Sequence, residues 1–220
     1  MVDIFDEVDE ELRAEKAEQL LKRYSGVIVA AAVSVLGVVG GWQGWQWWQA
    51  RQDAAAAAAY VTATSAADAT TGVDPAARAA LGNAFDALAL GAPDGYRTLA
   101  ELRSAALKAD AGDLAGAAAL WDRIAADGSV DPLLRDLATL LWAQRQLDQG
   151  DPARLEARLK PLTDPGNAWR ALAQEQLALL AFRQGHTDQA KAAFTKLSQD
   201  VTAPAGVRSR AAALLSRIGA

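Results

Sequence analysis

Residues 24–50 form an uninterrupted run of twenty-seven uncharged residues, placed behind Lys22-Arg23 and ending in Gly41-Trp42-Gln43-Gly44-Trp45-Gln46-Trp47-Trp48-Gln49. As a helix, residues 24–48 extend about 37 Å at roughly 1.5 Å per residue, enough to cross a hydrocarbon core of about 30 Å with some tilt. The run reads as a membrane anchor. A cleaved signal peptide is the competing reading, since the alanine run at 54–59 offers small residues for cleavage. Against it, the apolar stretch exceeds the roughly 7–15 residues of a signal core, and an acidic segment stands where a short basic one is expected. Arg13, Lys16, Lys22 and Arg23 precede the run, whereas only Arg51 follows it before Arg78. That bias keeps the N-terminus in the cytoplasm and puts the rest of the chain across the membrane.

Trp42, Trp45, Trp47 and Trp48 are expected to project in different directions around the helix, as an interfacial aromatic belt does. Gly37, Gly41 and Gly44, with Gly40 beside them, share a face in two overlapping G-x-x-x-G pairs that would let a second helix approach closely. Ordinary glycine tolerance in membrane helices is the plainer explanation. Ahead of the anchor, Ile4, Val8 and Leu12 recur every four residues in a segment whose acids come early and bases late, the order that suits a helix dipole. That segment reads as a solvated helical lead-in.

About 170 residues follow the anchor, one domain or a short repeat array. Residues 1–23 carry eight acidic and four basic side chains, a net of −4 out of −5 for the whole chain, leaving −1 for the remainder. No basic stripe exists to neutralise phosphates, which speaks against nucleic-acid binding. The chain has no cysteine, which removes disulfides and thiolate metal sites. His186, the single histidine, sits in the turn Gln184-Gly185-His186-Thr187-Asp188, where an exposed turn residue is expected rather than a general base. No phosphate-cradling loop, nucleophile elbow or metal-spaced set occurs. A catalytic role, a cofactor and a small-molecule substrate therefore have no support, and protein binding is the stronger class.

Beyond the anchor the chain is rich in alanine and leucine, which favours helices throughout. Asp74-Pro75, Asp131-Pro132 and Asp151-Pro152 each place an N-cap acceptor before a proline suited to the first helical position, and Asn167 is placed to cap the helix through Trp169 and Leu172. Pro93, Pro161, Pro165 and Pro204 fall between periodic segments, giving helices of roughly 12–16 residues. A repeat organises them. Aligning Gly112, Gly150 and Gly185 brings Ala105, Ala143 and Ala178 into register, and likewise Ala100, Ala138 and Ala173. Downstream the phased positions are Ala117, Trp121 and Ile124, then Leu155, Leu159 and Leu162, then Ala190, Phe194 and Leu197. Small residues let two antiparallel helices touch, the glycine turns the chain, and large apolar residues plug the pair: the spacing of tetratricopeptide repeats. On this reading Gly112→Leu, Ala143→Trp and Ala178→Trp should overpack a helix pair.

The expected fold is thus all-α: one transmembrane helix followed by tetratricopeptide-like helical hairpins. Residues 1–23 are the cytoplasmic segment and 24–50 the span. Residues 51–92 form an alanine-rich connector with a partial repeat whose second helix carries Leu81, Phe85 and Leu88. Residues 93–220 form three degenerate repeats and a closing helix that buries Leu214, Leu215 and Ile218. In such arrays the first helices of successive repeats line a concave groove. Mapped here, those positions are Leu99, Leu102, Arg103 and Ala106; Leu137, Leu140, Leu141 and Gln144; and Leu172, Glu175, Gln176 and Leu179. The groove is mostly apolar and lacks the paired Lys and Asn that clamp a carboxylate. Core leucines look identical in sequence, so filling by a neighbouring helix stays open.

The acidic start Asp9-Glu10-Glu11-Leu12-Arg13, the single span closing in Gly-Trp-Gln-Gly-Trp-Gln-Trp-Trp, the alanine-rich segment through Tyr60 and the repeats together make the chain similar to the ancillary SecYEG translocon subunit family. Those are bacterial inner-membrane proteins with a cytoplasmic N-terminus and a periplasmic tetratricopeptide-like domain. The resemblance implies a place beside the SecYEG channel and, with periplasmic chaperones, a role in handling unfolded, newly translocated clients. The alternative is a self-assembling or envelope-assembly scaffold that binds an unrelated membrane complex.

Overall fold

The computed structural model describes residues 4–69 and 74–219. Among them every regular element is helical, and the chain divides into two compact units, Met1–Gln52 and Asp53–Ala220. The apolar face expected around Ile4, Val8 and Leu12 lies outside the described side chains.

In the first unit the chain is a single helix, part of α1 (Ile4–Ala69). It contains a stretch long and apolar enough to cross a membrane. Val33, Leu36, Val38 and Trp42 are all exposed. Length and composition of this kind are what a membrane-crossing helix requires. The tryptophans do not simply diverge as expected. Trp45 and Trp48, one turn apart, touch with ring centroids 5.4 Å apart, while Trp47 takes the Arg51 guanidinium over its face at 4.5 Å.

The second unit comprises the end of α1, then α2 (Pro75–Gly91), α3 (Asp94–Asp110), α4 (Leu114–Ala126), α5 (Pro132–Gln146), α6 (Pro152–Leu159), α7 (Arg170–Arg183), α8 (Thr187–Gln199) and α9 (Ala205–Gly219). Helices α3 and α4, α5 and α6, and α7 and α8 form three successive hairpins, while α3, α5, α7 and α9 touch one after another. Capping explains the starts. The Asp131 carboxylate accepts from the Leu133 amide at 2.7 Å and that of Asp151 from Arg154 at 3.1 Å, each ahead of a proline that needs no partner for its nitrogen. Asp113, not anticipated, caps α4 through the Gly116 amide at 2.8 Å. Asp74 is a correction: it precedes Pro75 but makes no side-chain cap, leaving the proline to set the start of α2. Asn167 stands two residues ahead of the N-cap Trp169, accepting from the Trp169 amide while donating to Asp136.

All fifteen phased repeat positions are at most 2% exposed. The alanines are where first helices meet second helices, and Trp121, Phe194, Leu155 and Leu159 fill the space they leave. The second hairpin departs from the expected helix length. Proline at 161 cannot donate to α6 and crowds its preceding turn, so α6 stops at Leu159 and a 3-10 turn over Lys160–Thr163 carries Leu162 into the core. At the end of α8, Asp200 ties the hairpin together by accepting from Thr202 and Arg170, which holds its carboxyl down at about 2.

The three aligned glycines serve different needs. Gly112 and Gly185 adopt φ of +94° and +81°, a left-handed backbone that costs other residues about 1–2 kcal/mol. Nothing lies within 4 Å of a Cβ at Gly112, so Gly112→Leu would strain the backbone and not overpack the helix pair as expected. At Gly150 the constraint is space, since a Cβ would stand 2.7 Å from the Gln146 carbonyl oxygen. Asparagine visits the left-handed region more readily than β-branched residues. Gly112→Asn should therefore lower the melting temperature of the Asp53–Ala220 unit less than Gly112→Val; equal losses would contradict this account of the turn.

Candidate functional site

The concave side of α5, α7 and α9 encloses a groove of about 720 Å³. Its floor and sides come from the anticipated Leu137, Leu140, Leu141, Gln144, Leu172, Glu175, Gln176 and Leu179, together with Trp169, Arg210, Ala213, Leu214 and Arg217. Two of the three expected rows thus converge on one cavity. The first row does not join them. Leu102 is buried against the α3–α4–α5 core, Leu99 and Ala106 are half-buried elsewhere, and Arg103 donates to Asp68 near the end of α1 at 2.6 Å. The end of α1 works there as a first helix, packing Tyr60, Ala63 and Ala67 around Phe85 of α2.

The α9 wall was not anticipated as part of the site. Its placement follows from a ladder of contacts between successive first helices. Arg103 reaches back to Asp68, Arg145 to Asp110 and Arg210 to Glu175, each across 35 residues, and Arg183 donates to the Leu147 and Gly150 carbonyls across 36 and 33. Helix α9 therefore stands where the first helix of a further repeat would stand. The closing helix is half of another unit, and its groove-facing side carries Arg210, Ala213, Leu214 and Arg217 at helical spacing.

At the bottom of the groove the Glu175 side chain is only 4% exposed. It accepts from Arg210 Nε at 2.7 Å and from Nη2 at 2.6 Å, a bidentate pairing that raises the guanidinium pKa still further. A carboxylate this deep is tolerable only with its charge matched and its oxygens hydrogen-bonded. Beside it Gln176 is 8% exposed, and its Oε1 has no hydrogen-bond partner. Around these polar groups the lining is leucine and tryptophan. The arrangement suits an apolar chain presenting hydrogen-bond donors; nothing in it resembles a nucleophile with its base.

His186 is exposed at the turn before α8, where its ring caps nothing. Among the described residues no group of three or more metal-ligating side chains assembles. In the first unit, a Cβ added at Gly37, Gly41 or Gly44 would meet nothing within 4 Å.

Stacked two-helix units whose successive first helices touch one another define a helical-repeat solenoid, a class built for binding other proteins. A family model for the tetratricopeptide repeat-like domain matches residues 18–213, and the chain belongs to that family. Such domains are typically non-catalytic protein-interaction scaffolds. Comparison with curated proteins and with solved structures returned no match.

Proposed function

We propose that this chain is a membrane-anchored scaffold that holds other polypeptides in its α5–α7–α9 groove, working beside the SecYEG translocon and with periplasmic chaperones on newly translocated, unfolded clients. The observation that carries the binding role is the apolar cavity of about 720 Å³ on the concave face, lined by successive first helices. The translocon and chaperone assignment rests on the sequence resemblance. In this reading residues 24–50 span the bacterial inner membrane, with the N-terminus in the cytoplasm and the repeat domain in the periplasm. The scaffold uses no cofactor, metal, nucleic acid or small-molecule substrate and catalyses nothing. Purification from mildly solubilised membranes should yield translocon subunits and chaperones, and their consistent absence from the co-purifying proteins would overturn the assignment.

Topology has its own test. Protease added to intact spheroplasts should digest the chain beyond Arg51 and spare residues 1–23, because the basic residues cluster before the anchor. A protected repeat domain would reverse the orientation.

A second reading, self-assembly into an envelope scaffold, holds if the glycine face at Gly37, Gly41 and Gly44 drives self-association rather than pairing with a different helix. Under that reading Gly41→Leu abolishes a cross-linkable homodimer in membranes. Under the first it leaves recovery of the translocon unchanged.

A further inference from the structure

Three features of the groove together define what should fill it. The first is the Gln176 carbonyl, buried and without a donor. A buried acceptor left unsatisfied is destabilising, and an incoming N–H would relieve it. Its neighbour Arg210 has turned both Nε and Nη2 to Glu175. The second is charge. Glu175 and Arg210 neutralise each other, whereas Arg217, two turns further along the same wall of α9, has no carboxylate partner among the described residues. The groove lining therefore holds two guanidiniums against one carboxylate. The third is apolar lining by Leu137, Leu141, Leu172 and Leu179, around a volume within the roughly 300–1,000 Å³ typical of binding sites.

We propose that the groove binds an extended apolar peptide segment carrying an acidic side chain, its backbone N–H donating to Gln176 Oε1 and its carboxylate pairing with Arg217. The inference rests on the groove being the partner site and adds the chemistry of the partner. An acyl chain with a carboxylate head would satisfy the leucines and Arg217 but would bring no donor for Gln176. A polypeptide supplies an N–H at nearly every residue. A basic segment would leave Gln176 satisfied and place like charges together at Arg217.

The test uses the full chain in lipid nanodiscs, with binding to empty nanodiscs subtracted, and three fluorescein-labelled peptides. One is Ala-Leu-Phe-Ala-Leu-Asp-Leu-Glu; the second has Lys in place of both acids; the third is the acidic peptide N-methylated at alternate residues to remove donors. Anisotropy should show the acidic peptide binding about tenfold more tightly than the basic one, a gap that Arg217→Glu reverses. N-methylation and Gln176→Leu should each weaken the acidic peptide several-fold. Gln176→Leu should at the same time raise the melting temperature, because it removes an orphaned acceptor, so lost binding is not lost folding. Equal affinity for acidic and basic peptides would overturn the inference. So would indifference to both N-methylation and Gln176→Leu, or saturable binding of palmitate that displaces the peptide. Leu141→Trp separates the two levels: if the unsubstituted chain binds both charge types equally and Leu141→Trp abolishes both, the groove stands and the acidic preference falls. If it leaves both intact, the groove reading itself falls.

Discussion

Arg210→Met should destabilise the repeat domain by about 3 kcal/mol, the lower end of the range for breaking a buried ion pair by removing one partner. The lower end applies because the Arg210 side chain is 55% exposed while that of Glu175 is 4% exposed. The loss comes from the carboxylate left behind, with two oxygens that had accepted from one guanidinium. Replacing both members should therefore recover much of it. Glu175→Leu with Arg210→Met leaves an apolar joint between α7 and α9, and such exchanges of a buried pair are often neutral or stabilising. Urea unfolding of the single and double variants checks this directly. A double variant as unstable as the single one would show that the pair holds α9 through something other than charge compensation.

The second large effect concerns Trp121, 2% exposed and packed among the first two hairpins. Trp121→Ala should cost about 3–5 kcal/mol through lost burial and the cavity it leaves. Its indole Nε1 has no hydrogen-bond partner, so no polar contact is lost with the ring. In a solenoid each repeat is stabilised by its neighbours, so the damage should spread to α3 and α5 before it reaches α8 and α9. Amide exchange followed along the chain would show that order; uniform loss of protection would mean that the repeats unfold as one unit.

The repeat register was legible because it is written in side-chain size. Alanines at 100, 105, 138, 143, 173 and 178 can be small only where helices cross, and the phased aromatics and leucines that oppose them are all buried. The groove was only partly legible, because leucine at helical spacing looks the same whether it faces a core or a cavity. Leu102 and Leu140 are equivalent in the repeat register and both are buried in the core, yet only Leu140 also borders the groove. The α9 wall was written in charge: the 35-residue separation of Arg210 from Glu175 repeats that of Arg145 from Asp110. Long side chains pair across many spacings, so the number acquires meaning only once the helices are placed. The short α6 traces to Pro161, which ends the helix within a register that the leucines nevertheless maintain.

The central claim is that partners enter the concave groove. A photo-cross-linking amino acid placed in the full chain at Leu141 or Leu179, which line the groove, and at Ala157 or Ala192, exposed on second helices, tests it most directly in living membranes. The account predicts adducts with other polypeptides from Leu141 and Leu179 that diminish when protein export is halted, and none from Ala157 or Ala192. Adducts confined to the second-helix positions, with silence at both groove positions, would contradict it.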